Sequence, residues 1–481
     1  MFDQKYLSPG SNWFLMGIKG VAMTSLAQIL IDAKLNVSGA DVAEDFVTAK
    51  VLAKLNLNIT VGFEAKLPEN IRVLVYTAAH QGQFNPLVTA ARDRGILTLS
   101  QAEALSLFHN QKQGVSVCGV GGKSTVSAMV TWIMEKIGWL PSFSVGVGNI
   151  PGLDKTGCWR NQSPWFVTEA DEYVIDPTAP SRGEEITPRF SFLKPFATVC
   201  TNLEYDHPDV YKDFDHTKGV FGQFFSQIKP GGKLVVNFDS MGLNQVINQI
   251  SETLKNNQIE IISFGEQIGA DWQLTDYQAE AGKTTGKLRH GTEIFEISLP
   301  IPGKFNLLNA AAAVATVATL GANPEAATKA LSDFPSTLRR FEKIGVKNGV
   351  TFYDDYGHHP HEVAAAIKAL ADWFPTGKKI IAFQSHTFSR TKQLFDDFVT
   401  AFAKADEVVM IDIFPSAREA FDASVSSDSL CAAISEKYPK ISAKNLKTIP
   451  NLAAYLSQNL KSGDVCLTIG AGDIYHVHEL L

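Results

Sequence analysis

The 481-residue chain is too long for one ordinary hydrophobic core and predicts about three domains. Its 45% apolar and 19% charged residues read as an ordinary globular protein. With a net charge of -7 and no basic block, neither a nucleic-acid backbone nor an anionic membrane surface is an expected partner. Five isolated cysteines without CxxC spacing argue against a disulfide framework and a zinc site. No segment reads as a secretory leader or membrane span, so the cytoplasm is the expected compartment.

In chain order, short β-branched runs alternate with helical patterns: WFLMGI then MTSLAQIL, RVLVYTA then PLVTAARDRG, VSVCGV then VSAMVTWIMEKIG. This alternation predicts βαβ units, parallel sheets and helices on both faces. The polar stretch HNQKQGV, residues 109 to 115, marks a first boundary. Strand-and-turn patterns follow in GGKLVVNFDS, IEIISFGE and GTEIFEISLP. A second boundary comes after an alanine-rich helix at 307 to 320, where the chain enters a fresh strand, GVTFYDD. The expected domains are 1–110, 111–334 and 335–481.

The stretch VCGVGGKSTVSAMV carries the strongest chemical signal. Val126, Met129, Val130, Ile133, Met134 and Ile137 recur at helical spacing, so a helix is expected from Thr125. Gly119, Val120, Gly121 and Gly122 form the turn before it, with Lys123 and Ser124 at the helix start. Glycines let backbone N–H groups approach an anion, the helix N-terminus adds donors, the lysine neutralises outer phosphates, and a serine hydroxyl can hold Mg²⁺. The loop is shorter than the usual eight-residue pattern, since Val117 stands five positions before Gly122. A tight turn with a solvated lysine is the bland alternative.

Two acidic clusters follow apolar segments. FVTEADEY brings Glu169, Asp171 and Glu172 to a strand end, and ATVCTNLEYDHPDVY does the same for Asn202, Glu204, Asp206 and His207. Singly each reads as a loop end; together, after a phosphate loop, they suit hard divalent cations.

These motifs in this order resemble the Mur ligase family, ATP-dependent amide ligases of peptidoglycan precursor synthesis, over nearly the whole chain. The resemblance implies an α/β protein with a Rossmann-like UDP-binding domain, a central P-loop ATPase-like domain and a C-terminal Rossmann-like domain. GVGGKST matches the family's loop, with Val120 where a threonine is usual and Thr125 completing it. Glu169 and His207 align with the family's Mg²⁺ ligands. PGKFNLLNAAAAV resembles the segment whose asparagines, here Asn306 and Asn309, seat the adenine, although Asn306 equally suits a helix N-cap. LRRFE, with Arg339 and Arg340, resembles the hinge whose arginine reaches the ATP phosphates, and Asp355 is assigned to the same nucleotide.

FYDDYGHHPHEV and AFQSHTFSRT resemble the branch that adds L-alanine to UDP-N-acetylmuramate. Tyr356, His358, His386 and Arg390 would then hold the incoming amino acid, with Arg390 on its carboxylate. Thr387 stands where some members carry arginine. DIFPSARE and TIGAGDIYHV also fit this branch. GIKGVAM, in place of a more glycine-rich sequence, puts Gly17, Lys19 and Gly20 at the sugar-nucleotide diphosphate, with Asp41 nearby. The family further implies that ATP binds before sugar nucleotide and amino acid. Some relatives carbamylate a lysine after the histidine; Lys218 alone is offered here, and no carbamate is expected. Two other readings stand beside this one. A recycling ligase would add a preformed tripeptide, and the long segment 174–192 resembles an insertion of that type. A non-catalytic nucleotide-sugar binding protein would have no use for Lys123, Glu169 and His207. Nor would a Rossmann oxidoreductase need the Lys-Ser loop.

Overall fold

The computed structural model describes residues 4–44, 46–64, 66–415 and 421–481. Three sheets follow one another along the chain. The first has five parallel strands, with Asn12–Met16 at its centre between Asn36–Asp41 and Val73–Tyr76, and with Asn58–Val61 and Leu97–Ser100 at the edges. Apolar runs such as NWFLM make this possible, because the central strands of a covered parallel sheet are buried on both faces. The strand order is Rossmann-like, as expected.

The second sheet has ten strands. At its heart Gln113–Cys118 lies parallel between Trp165–Glu169 and Ala197–Cys200, and Lys233–Asn237 and Glu260–Gly265 continue the parallel run. The helix Lys123–Lys136 leaves the central strand and is buried from Ser124 to Met134. Its predicted stripe, Val126, Met129, Val130, Ile133 and Met134, is wholly inside, while Ile137 is half-buried. Lys123 and Ser124 open the helix, as expected, because Gly122 takes the left-handed conformation and ends the turn there.

In the third sheet, Val350–Asp355, Val465–Ile469, Lys379–Phe383, Glu407–Met410 and Ser442–Asn445 run parallel, and Glu342–Lys347 pairs antiparallel at one edge. Helix Pro360–Trp373 packs Val363, Ile367 and Leu370 into a core with Phe383, Phe398 and Leu467. The chain forms two compact units. One comprises Met1–Thr275, Lys287–Ile297 and Leu308–Phe334; the other comprises Asp276–Gly286, Ser298–Leu307 and Pro335–Leu481.

Within the first unit, polar bonds tie the helix Val21–Asp32 to the strand Gly157–Cys158. Gln28 is 1% exposed, and its Oε1 accepts from the N–H groups of Thr156 and Gly157 at 3.0 and 2.9 Å. Ser25 Oγ donates to the Thr156 carbonyl at 3.0 Å. Losing the Gln28 acceptor strands two buried N–H groups, each worth about 1–3 kcal/mol when unsatisfied. Gln28→Leu is therefore expected to lower unfolding stability by about 2–4 kcal/mol in urea, whereas Gln28→Glu, which keeps the acceptor, should lose less.

Candidate active site

The loop after Gln113–Cys118 is fixed by its neighbour in the sheet. Gly119 has φ +121°, and a Cβ there would lie 2.3 Å from Thr201 Oγ1, so the close approach admits only glycine. The Gly121 N–H donates to Asn202 Oδ1 at 2.9 Å, and Thr201 Oγ1 donates to the Gly121 carbonyl. Gly122, φ +83°, leaves no room for a Cβ beside Asn309 Oδ1 at 2.5 Å. Asn309, Thr201 and Asn202 thus shape the loop from outside it.

Lys123 turns back over this loop. Its Nζ donates to the Gly119 carbonyl at 2.7 Å and to Glu172 Oε1 at 2.8 Å. Burial alone would draw its pKa down, but the carboxylates of Glu172, Asp171 and Glu169 together outweigh that and hold it above the ordinary lysine value. Glu169 Oε2 accepts from the Gly146 N–H at 3.1 Å. Arg189 Nη1 donates to Asp171 Oδ2 at 2.6 Å, keeping that carboxyl below its usual range against the opposing effect of burial. His207 sits at φ +57° with Nε2 3.6 Å from both Glu172 Oε1 and Asp206 Oδ2, its ring 4.8 Å from that of Tyr173. A lysine, four carboxylates and an imidazole therefore meet at the ends of adjacent parallel strands.

In the first sheet, the Lys19 N–H donates to Asp41 Oδ2 at 2.6 Å and the Val42 N–H to Oδ1 at 2.8 Å. The Lys19 ammonium donates to the carbonyls of Val42, Ala43 and Glu44. Gly17 takes φ +83° at the end of the central strand, and Gly20 caps the helix that follows.

The second unit carries another cluster. The Tyr356 and His358 rings lie 5.6 Å apart, the His358 and His386 rings 6.3 Å apart, and Arg390 Nη1 is 3.5 Å from His386 Nδ1. Phe414 stacks on His386 with centroids 5.8 Å apart. Glu362, in the first turn of helix Pro360–Trp373, accepts from the N–H groups of His358 and His359 at 3.0 and 3.2 Å and fixes the histidine loop. Thr387, at φ +72°, caps the short helix that carries Arg390. Of DIFPSARE, residues 416–419 lie outside the described residues.

Comparison with known proteins matches three stretches of the chain. The chain matches the Mur ligase family catalytic domain over residues 15–113, the Mur ligase middle domain over 117–317, and the Mur ligase glutamate ligase domain over 339–472. It is 33% identical over 470 residues, 97% of this chain and 98% of the relative, to the UDP-N-acetylmuramate--L-alanine ligase of Desulfitobacterium hafniense (strain Y51). The chain belongs to the Mur ligase family. Its fold is shared with the UDP-N-acetylmuramate-alanine ligase of Thermotoga maritima (TM-score 0.78, 21% identity, 97% of each chain). It is also shared with a murein peptide ligase of Psychrobacter arcticus 273-4 (TM-score 0.69, 20% identity, 98% of each chain).

As a Mur ligase, the chain is an ATP-dependent enzyme, and the first cluster fits a divalent cation on its own chemistry. Hydroxyl and carboxylate oxygens with one imidazole are a donor set for Mg²⁺, and Glu172 Oε2, buried, takes no hydrogen bond among the described residues. Asn306 does not cap a helix: the helix runs Lys304–Thr319, and its Nδ2 donates to the Pro302 carbonyl at 2.7 Å. Lys218 pairs with Asp215 and Gln245. Arg189 and Glu362 went unread in the sequence. Glu362 had a visible signal, an acid three residues after a cap position; Arg189 had none, being brought to Asp171 only by the fold of segment 174–192.

The paired arginines separate clearly. Arg339, 7% exposed and at φ +59°, donates to Asp354 Oδ2 at 2.9 Å and to the carbonyls of Gly470 and Gly472. Its guanidinium is committed to the interior of its own unit. Arg340 is half-buried, with its guanidinium 5.2 Å from the Tyr356 ring centroid. Arg339→Ala would leave Asp354, 1% exposed, without its cation, and is expected to cost about 3–5 kcal/mol in chemical denaturation.

Asp355 accepts from the N–H groups of Phe341 and Gly357 at 2.8 and 2.7 Å, yet burial pushes its carboxyl up to about 6. A folded-state pKa above the unfolded value stabilises below the ordinary carboxylate range, and that contribution is lost as pH rises through about 6. Between pH 4 and pH 7 the wild-type protein should lose about 2 kcal/mol of unfolding stability relative to Asp355→Asn, measured by urea titration at each pH.

Proposed function

We propose that this chain joins L-alanine to the lactyl carboxylate of UDP-N-acetylmuramate, converting ATP to ADP and phosphate. What supports the reading most is the placement of Lys123 among Glu169, Glu172 and His207 on the loop that leaves the central strand. A phosphoryl group arriving there meets backbone N–H groups, a cation and metal-ligand oxygens together. The specific substrates follow the Desulfitobacterium relative's name and the cluster of Tyr356, His358, His386 and Arg390.

A carboxylate and an ammonium do not condense near neutral pH, since both are charged and oxide is a poor leaving group. Transfer of the ATP γ-phosphoryl group to a carboxylate oxygen gives an acyl phosphate and ADP. The free amine of alanine then attacks the carbonyl carbon, and phosphate leaves with that oxygen. Phosphoryl transfer asks the protein for alignment and charge neutralisation rather than covalent help. Gly119, Val120, Gly121, Gly122 and Thr125 line the loop; Lys123 and Arg340 neutralise phosphate charge; Asn306, Asn309 and Asp355 serve the rest of the nucleotide. Ser124, Glu169 and His207 would hold Mg²⁺, which, when bound, supplies further positive charge to the phosphates.

Arg390 holds the alanine carboxylate, while Tyr356, His358 and His386 border its amine. Gly17, Lys19, Gly20 and Asp41 shape the sugar-nucleotide site; with the Lys19 ammonium engaged by three carbonyls, its backbone N–H and those of its neighbours do the anion binding. The three domains 1–110, 111–334 and 335–481 carry sugar nucleotide, ATP and amino acid in turn.

One observation favours a second acceptor. The segment 174–192 is folded against the first sheet's domain, with Asp176 Oδ2 accepting from Gln83 Nε2 at 2.8 Å and Arg182 lying 4.7 Å from the Phe84 ring centroid. That is a surface on which a longer acceptor peptide could rest. Phosphate release with ATP, Mg²⁺ and UDP-N-acetylmuramate, offering L-alanine, L-serine, glycine or the tripeptide in parallel, separates the readings. Turnover is expected with L-alanine; turnover with tripeptide alone would replace alanine as acceptor, and turnover with none would leave a binding protein. Lys123→Ala is expected to lower turnover at least a thousandfold while sugar-nucleotide binding persists.

A further inference from the structure

Glu172 stands between Lys123 and His207. Its side chain is 2% exposed. Oε1 accepts from Lys123 Nζ at 2.8 Å and lies 3.6 Å from His207 Nε2. Oε2 is buried and takes no hydrogen bond among the described residues. Its main chain is pinned, because its carbonyl accepts from the hydroxyl of Tyr211, a side chain that is itself 1% exposed. The neighbouring acid, Asp171, is engaged by Arg189. Glu172 is therefore the acid of this strand end that answers to the loop lysine.

We propose that Glu172 changes partner during the cycle, holding Lys123 before nucleotide arrives and then becoming a ligand of the divalent cation that it shares with His207. This rests on the ATP and Mg²⁺ reading above. The argument is one of charge. Once Lys123 turns to the phosphates, a buried carboxylate loses its cation, which is strongly unfavourable unless another replaces it. A divalent cation beside His207 meets that need and supplies a partner for Oε2 as well. In the reverse order, a cation arriving first meets the lysine charge 2.8 Å from the oxygen it would use and is repelled. Lysine departure and cation binding then favour each other, and linkage makes the preference reciprocal: nucleotide tightens the cation, and the cation tightens nucleotide.

The test counts bound Mn²⁺ by electron paramagnetic resonance on the full chain, with and without saturating adenosine imidotriphosphate. Metal-free affinity for the same analogue is measured in EDTA. In the wild type the analogue should tighten Mn²⁺ binding at least tenfold at one site. In Glu172→Gln that tightening should fall to within a factor of about three, while metal-free analogue binding stays equal or becomes stronger, because Lys123 is no longer held by a charge. Undiminished tightening in the glutamine variant would overturn the proposal and leave Glu172 as an anchor for the lysine. A parallel loss of metal-free nucleotide affinity would also overturn it, since that marks a structural role. Glu172→Asp, which keeps the charge on a shorter stem, guards against misfolding of the first variant and should give an intermediate Mn²⁺ affinity; wild-type affinity there contradicts the proposal. A wild type that binds neither nucleotide nor Mn²⁺ would refute the proposed function itself, a distinct outcome.

Discussion

The structure depends on the level register of three parallel strands. Val117 is opposite Glu169 on one side, and Cys118 is opposite Cys200 on the other. Strands that end together release their loops together, so the phosphate loop, the EADE turn and the NLEYDH turn emerge at one edge of the sheet. The backbone bonds that continue the pairing, Ala170 N–H to Val117 and Thr201 N–H to Cys118, carry the alignment one residue past the strands. In open α/β sheets the carboxyl ends of the strands are where ligands collect, since there the loops diverge and expose donors. A slip of one residue would turn Glu169 toward the opposite face and part it from the loop.

That register also explains why so much charge is buried in one place. Lys123 pairs with Glu172 and Arg189 with Asp171, two ion pairs side by side at one strand end. Taken alone, such a network contributes little to stability, because desolvation offsets most of the attraction. On the proposed function its value lies in preorganisation: groups that would meet a transferring phosphoryl group are already oriented before substrate arrives. The second unit is built on the same logic with different parts. Arg339 and Asp354 lock the strand end from within, Glu362 fixes the histidine loop, and Tyr356, His386 and Arg390 stand half-buried beside it.

Much of this was legible in the sequence because the signals are local. The phosphate loop, the two acidic turns and the YGHHP turn each combine an apolar run with residues whose conformation or charge has few structural uses, and the alternation of runs announced the parallel strands of the first two sheets. What escaped was what only the fold brings together. Asn306 suits a cap by type, yet the helix begins at Lys304, so its amide serves the Pro302 carbonyl instead. Arg339 and Arg340 are chemically identical neighbours; a left-handed backbone at Arg339 sends one inward, and no pattern announces it. Arg189 reaches Asp171 because segment 174–192 doubles back, with Val174 bridged to Pro188. The resemblance brings Lys19 to the sugar-nucleotide diphosphate; which carbonyls of its own chain its ammonium meets, those of Val42, Ala43 and Glu44, only the fold shows.

The central claim is that the loop lysine and its acidic surroundings activate a carboxylate by phosphoryl transfer. The most direct measurement follows oxygen. UDP-N-acetylmuramate carrying heavy oxygen in its lactyl carboxylate is turned over with ATP and L-alanine, and the released phosphate is examined by phosphorus NMR. Phosphate bearing one heavy oxygen from the carboxylate is the predicted result; amide product accompanied by unlabelled phosphate would contradict the account.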